Sequence, residues 1–160
     1  MNLRDKLSED TILVPMEAAT CVDAIQELLN HLKSLQILSA THKLFSCIRE
    51  QEASFTSAAG RGIAYPHSTS TEIENCVSVL GISSNGIDFK SPDGQLCHVI
   101  LLTLSPEEAP SEHRKFITRF RTMVEDPQVR AMLTESGNSG EVLNIISDWE
   151  DSESDPIELD

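Results

Sequence analysis

Aromatic side chains are scarce in this 160-residue chain, which holds one tryptophan, one tyrosine and five phenylalanines. Its core must therefore be built mostly from Leu, Ile, Val and Ala, and the length suits one domain with a real interior. Positive charge is also in short supply, with 12 Lys and Arg against 26 Asp and Glu and a formal charge of −14. Nucleic-acid binders gain affinity by neutralising phosphates with cations, so this balance excludes nucleic acid as an expected partner. No apolar run approaches the roughly 18 residues that a membrane-spanning helix needs. The opening MNLRDKLSED is polar and carries no signal pattern. Stable membrane insertion is therefore not expected, and the expected compartment is the cytoplasm. Four cysteines, Cys21, Cys47, Cys76 and Cys97, include no C-x-x-C pair and read as reduced, buried, small apolar residues. No two of Cys76, Cys97, His67, His98 and His113 show finger or metalloprotease spacing, so neither a metal nor a cofactor is expected.

What the chain does have is unevenly placed. Asp148 to Asp160 carries seven acidic residues and no Lys or Arg, half of the net charge. Self-repulsion and few apolar residues predict a largely disordered tail over 150–160, a solvated end or an acidic arm for a partner. Residues 1–10 read as a polar N-terminal segment, leaving 11–149 as the domain. TILVP predicts a short strand stopped by Pro15. CVDAIQELLNHLKSL places Ile25, Leu28, Leu29, Leu32 and Leu35 at helical spacing behind Thr20 as cap. Thr41 is the expected cap of a second helix, HKLFSCIREQEAS.

Beyond a Gly-rich loop the period changes. CVSVLGIS and CHVILLTLS read as strands, the second apolar enough to be buried on both faces. Asn85-Gly86 and Asp93-Gly94 predict turns around a short IDF strand between them. Helical spacing returns in SEHRKFITRFRTMVED, with Ser111 as expected cap. It continues in PQVRAMLTES, started by Pro127 and ended by Gly137, and in GEVLNIISDW, capped by Ser139. The order predicts an α/β fold, a layered α/β/α domain with a mixed, mostly parallel sheet flanked by helices.

One short stretch carries chemistry: GRGIAYPHSTS, Gly60 to Ser70. Pro66 fixes its own φ and pushes Tyr65 toward extended backbone, so GIAYPH reads as a strand ending at a stiff turn that projects His67. Gly60 and Gly62 allow close backbone approach, and Ser68, Thr69 and Ser70 offer donors to an anion. A neutral imidazole can attack phosphorus with one nitrogen while the other keeps its proton in a fixed hydrogen bond. A surface loop histidine has the same local sequence, so both readings stand at this point.

The segment resembles the active-site stretch of the type 2 IIA domain of the bacterial phosphotransferase system, the fructose/mannitol-type fold that includes the nitrogen-regulatory IIA proteins. The pattern G-x-G-[IV]-A-x-P-H is met by Gly60, Gly62, Ile63, Ala64, Pro66 and His67, with Tyr65 in a usually aliphatic slot. SPDGQLCHVILLTLSPEEAPSEHRKF is similar to that family's aspartate turn, buried strand, loop and helix with a second histidine, here His113. The resemblance runs from about Thr11 to Trp149 and implies the layered fold.

It further implies that His67 accepts phosphate from an HPr-type phosphocarrier protein, making the chain a phosphotransferase component. His113 would steady the phosphoryl group or the imidazole, and Arg49 is a candidate phosphoryl contact. Arg49 lies two residues further upstream than usual, so either it or Gln51 is expected at the site, and Arg114 follows His113 where leucine is common. A standalone IIA, with no attached sugar-transporting or IIB domain, resembles the nitrogen-regulatory branch, whose phosphorylation state controls protein partners, and that is the role expected here. A sugar-specific subunit passing phosphate to a IIB domain, and a binding module that has lost phosphotransfer, are the alternatives.

Overall fold

The computed structural model describes residues 2–71, 73–108 and 111–153. Its strands are β1 (Ile12–Leu13), β2 (Ala58–Gly60), β3 (Ile63–Ala64), β4 (His67–Thr69), β5 (Val77–Ile87) and β6 (Cys97–Ser105). The helices are α1 (Cys21–Ser34), α2 (His42–Ser54), α3 (Ser111–Val124), α4 (Pro127–Glu135) and α5 (Ser139–Glu153). The sheet order is β1-β5-β6-β3-β2, with β4 also paired to β6. Pairing is mixed: β1–β5, β3–β6 and β4–β6 are parallel, while the long β5–β6 ladder and the short β2–β3 pair are antiparallel.

Strand side chains alternate between faces, so one strand can feed two cores. On β6, Ile100, Leu102 and Leu104 join Ile25, Leu28, Leu29, Leu32, Leu44 and Ile48 of α1 and α2. Val99 and Leu101 turn the other way, into a cluster with Phe116, Phe120, Met123, Leu133, Val142 and Ile146 of α3, α4 and α5. The predicted three-layer α/β/α arrangement is therefore present, with β6 buried on both faces.

Several local expectations change. Thr20 caps α1 by accepting from the Asp23 N–H at 3.1 Å. Thr41 makes no such bond to α2, and its hydroxyl instead accepts from the Gln26 side chain. At α5 the cap is Asn138, whose Oδ1 accepts from the Glu141 N–H at 2.9 Å, while Ser139 already lies inside the helix. Ser111 is likewise the first helical residue of α3. Asn85-Gly86 is no hairpin turn: β5 runs through it, Gly86 takes φ +87°, and the register with β6 shifts between Ile82 and Ile87. A glycine at positive φ serves a bulge as well as a turn, and dipeptide chemistry alone does not separate them. Asp93-Gly94 does form a turn, closed by the Gly94 N–H on the Ser91 carbonyl.

Both ends of the expected domain also differ. Residues 2–10 of the polar segment fold against the body, with Leu3 and Leu7 buried among α3, α4 and α5. The boundary expected at Glu150 falls inside α5, and Glu150 is wholly buried. Its carboxylate accepts from the Leu3 N–H at 2.6 Å and pairs with Arg4 at 3.0 Å and Arg119 at 2.8 Å. A buried carboxylate is tolerable only with such partners. Residues 154–160 of the acidic tail lie outside the described residues.

Candidate functional site

The GIAYPH segment does not end in a turn. Ile63 pairs with Val99, Ala64 with Ile100 and His67 with Thr103, so the parallel register on β6 is unchanged across the interruption at Tyr65–Pro66. Proline has no N–H to give, which interrupts the strand, yet its carbonyl still accepts from the Thr103 N–H at 3.1 Å. His67 is therefore presented by a strand rather than by a loop. Alternation puts Tyr65 and His67 on the α3 face, and Tyr65 packs in that core. Ser68 points the other way, and its hydroxyl donates to Cys47 Sγ on α2.

Upstream, Gly60, Arg61 and Gly62 all take positive φ, +88°, +59° and +81°. The Asp93 carboxylate pins this turn by accepting from the Arg61 N–H at 2.8 Å, and it also accepts from Ser91 and Gln95. Those bonds hold the Asp93 pKa below its ordinary value, the Arg61 N–H contributing most. The aspartate thus orders the backbone that leads into β3.

His67 is exposed, and its Nδ1 lies 3.1 Å from the Tyr65 carbonyl. A carbonyl can only accept, so Nδ1 carries the proton and Nε2 keeps its lone pair. The residue lines an open cleft of about 720 Å³ together with Cys47, Glu50, Gln51, Phe55, Tyr65 and Arg121. Phe55 is 84% exposed at this cleft, an unusual position for a phenylalanine. The Ser57 hydroxyl is also part of the lining and is buried with no hydrogen-bond partner.

His113 occupies the first turn of α3, half-buried and near enough to His67 for the two to interact electrostatically. Burial pushes its pKa below the ordinary histidine value, and the charges of Lys6 and His67 push the same way. The two predicted histidines thus come together, from a strand and a helix 46 residues apart in number. Lys6 acts on His113 from the polar N-terminal segment, outside the expected domain 11–149.

Of the alternatives at the end of α2, Gln51 lines the His67 cleft, with its side-chain amide donating to Cys47 Sγ at 3.3 Å. Arg49 instead lies over the Phe45 ring at 5.4 Å and lines a separate cavity of about 330 Å³ with Glu52, Asp88 and Phe89. The arginine in the cleft is Arg121, 4.5 Å above the Tyr65 ring. Its signal in the sequence was its place eight residues after His113, about two helical turns along α3. Arg114 turns to a groove with Lys115, Arg119 and Trp149. His98 donates Nδ1–H to the Ser83 carbonyl at 2.8 Å and is a satisfied half-buried residue. Cys97 is buried and Cys21 and Cys76 are half-buried, but Cys47 is exposed, against the expectation of burial. Among the described residues no three His, Cys, Asp or Glu side chains form a metal-binding group, and no helix is long and apolar enough to cross a membrane.

Residues 5–149 match the family model described as phosphoenolpyruvate-dependent sugar phosphotransferase system, EIIA 2. The chain is 26% identical over 147 residues to the PTS system fructose-specific EIIABC component of Bacillus subtilis, covering 92% of this chain but only 23% of that relative. It is 25% identical to a nitrogen regulatory protein of Bradyrhizobium diazoefficiens, covering 92% of this chain and 95% of the other. Among solved structures, nitrogen regulatory protein IIA-Ntr from Neisseria meningitidis superposes with a TM-score of 0.79 at 22% identity, over 89% of this chain and 97% of that one. The Escherichia coli complex of enzyme IIAMTL with phosphorylated enzyme IIBMTL gives 0.73 at 19% identity, over 89% and 98%.

Proposed function

Because the chain belongs to the phosphoenolpyruvate-dependent sugar phosphotransferase system EIIA 2 family, we propose that it is a phosphohistidine carrier whose acceptor is His67. The observation that supports this most is the tautomer of that ring: Nδ1–H is committed to the Tyr65 carbonyl, leaving Nε2 as the nucleophile in an open cleft. The donor is a phosphorylated HPr-type protein in the cytoplasm. Phosphoryl transfer needs positioning and charge stabilisation more than covalent help from the protein. His113, depressed in pKa, stays neutral near pH 7 and can donate one hydrogen bond to the phosphoryl group without adding repulsion toward His67. Incubation with the phosphorylated donor should add one acid-labile phosphate, absent from His67→Ala, with phosphorus–nitrogen coupling at Nε2. A wild-type chain left unmodified by a donor that charges another acceptor ends this reading.

Downstream, the phosphorylation state regulates protein partners, a reading favoured by the near full-length likeness to a nitrogen regulatory protein. Transfer onward to a IIB domain is the second reading, supported by the likeness to a fructose-specific EIIABC component and to a IIA solved with its phosphorylated IIB. Stopped-flow mixing of the phosphorylated chain with purified IIB separates them. Drainage of the phosphate within seconds favours the sugar branch, and persistence over minutes favours regulation.

A further inference from the structure

We propose that Arg121 is the cation that meets the phosphoryl group on His67, a role that rests on the phosphocarrier reading above. Tyr65, in the break between β3 and β4, and His67, the first residue of β4, share one face of this extended stretch, two residues or about 6.6 Å apart. The Arg121 guanidinium sits 4.5 Å over the Tyr65 ring and lines the same cleft as His67. That ring is itself braced by Phe120, edge to face at 6.2 Å and 86°. An arginine on an aromatic face is held by cation–π attraction while its N–H donors remain free at the edges. Arg121 is exposed and forms no salt bridge among the described residues, so its charge is not already committed to a carboxylate. Arg49 likewise forms no salt bridge among the described residues, but it lies over Phe45 and lines a cavity that His67 does not share.

The step balances without another reagent. The Nε2 lone pair of His67 forms the new N–P bond as the N–P bond of the donor's protonated phosphohistidine breaks. The donor imidazole leaves neutral with that electron pair, and His67 keeps its Nδ1 proton on the Tyr65 carbonyl. Charge is spread over three phosphoryl oxygens throughout, and the planar fork of Arg121 suits two of them at once.

The test is single-turnover phosphorylation by excess phosphorylated HPr-type protein, using wild type, Arg121→Gln, Arg121→Lys and Arg49→Gln. Arg121→Gln should slow phosphorylation by roughly tenfold or more, Arg121→Lys should recover part of that loss, and Arg49→Gln should cost less than Arg121→Gln. Phosphorus NMR of the phosphorylated proteins gives a second reading that mere structural damage does not mimic. Loss of the cation should raise the phosphoryl pKa in Arg121→Gln, with Arg121→Lys nearer wild type. A rate within twofold of wild type in Arg121→Gln, a larger loss in Arg49→Gln, or an unmoved phosphoryl pKa overturns the assignment and leaves the carrier reading standing. A wild-type chain that takes no phosphate overturns both.

Discussion

His67 and His98 sit on paired strands, and each gives its Nδ1 proton to a backbone carbonyl, Tyr65 at 3.1 Å and Ser83 at 2.8 Å. By hydrogen bonding alone they are twins. Their surroundings differ. The His98 ring lies between two glycine backbones, where a Cβ on Gly86 would come within 2.9 Å of its Cε1 and one on Gly62 within 3.7 Å of its Cδ2. His67 opens instead into the cleft shared with Gln51, Phe55 and Arg121, and interacts with His113. A fixed tautomer prepares a nucleophile, but space and opposite charge around the second nitrogen decide whether it can act as one.

The comparison can be broken most severely at the rings themselves. His67→Ala should abolish phosphate incorporation while His98→Gln retains it, read as a single-phosphate mass shift; incorporation in the first would refute the pairing of roles. His113→Ala should slow acceptance about a hundredfold in a rapid-quench time course, within the usual range for a positioned acid–base group. An undiminished rate would reduce His113 to a bystander.

Smaller effects act through the scaffold. Glu150→Gln removes the carboxylate that holds Arg4 and Arg119, at a cost of about 3 kcal/mol in denaturant unfolding. The same pairing depresses the Glu150 pKa against the opposing effect of burial, with Arg119 the largest favourable contact. Its contribution is therefore fully present above the ordinary value of 4.5 and lost as pH falls through the lower folded value. A wild-type stability that stays flat below pH 4.5 would count against it. Gly86→Ala should cost about 2 kcal/mol, since a side chain at φ +87° is strained and meets Leu96 and His98, yet it should spare phosphate acceptance. Parallel losses of stability and acceptance would show that the two histidine sites are coupled. The least effect is the titration of His113, whose NMR midpoint should lie below 6.5 and rise toward it in Lys6→Gln. Folding then favours the neutral ring, so this contribution is complete above pH 6.5 and declines as pH falls below it.

The element types were largely legible because period and composition act locally. The α1 pattern, the continuous apolar run of β6 and Pro127 at the start of α4 all report the physics of their own few residues. The bulge at Gly86 and the swap of Ser139 for Asn138 as cap were not, since each depends on which backbone groups a neighbouring element leaves unpaired. Of the site, the sequence pointed to His67 and His113 through a motif and a resemblance. It misjudged the route to His67, because unchanged register across Pro66 is a property of the β6 partner.

By itself the sequence determined a three-layer α/β chain, a strong negative charge, and an imidazole at a defined point after a proline. Only the tertiary structure decided which charges stand beside that imidazole. Arg49 and Arg121 are both cations on predicted helices, and neither the resemblance that marks Arg49 nor the spacing from His113 that marks Arg121 says which of them reaches the cleft. The packing of α2 and α3 on the sheet does, setting one over Phe45 in a cavity apart from His67 and the other over Tyr65 in the His67 cleft. Lys6 and Glu150 teach the same lesson from the chain ends, because burial and electrostatic contact are relations between segments far apart in sequence.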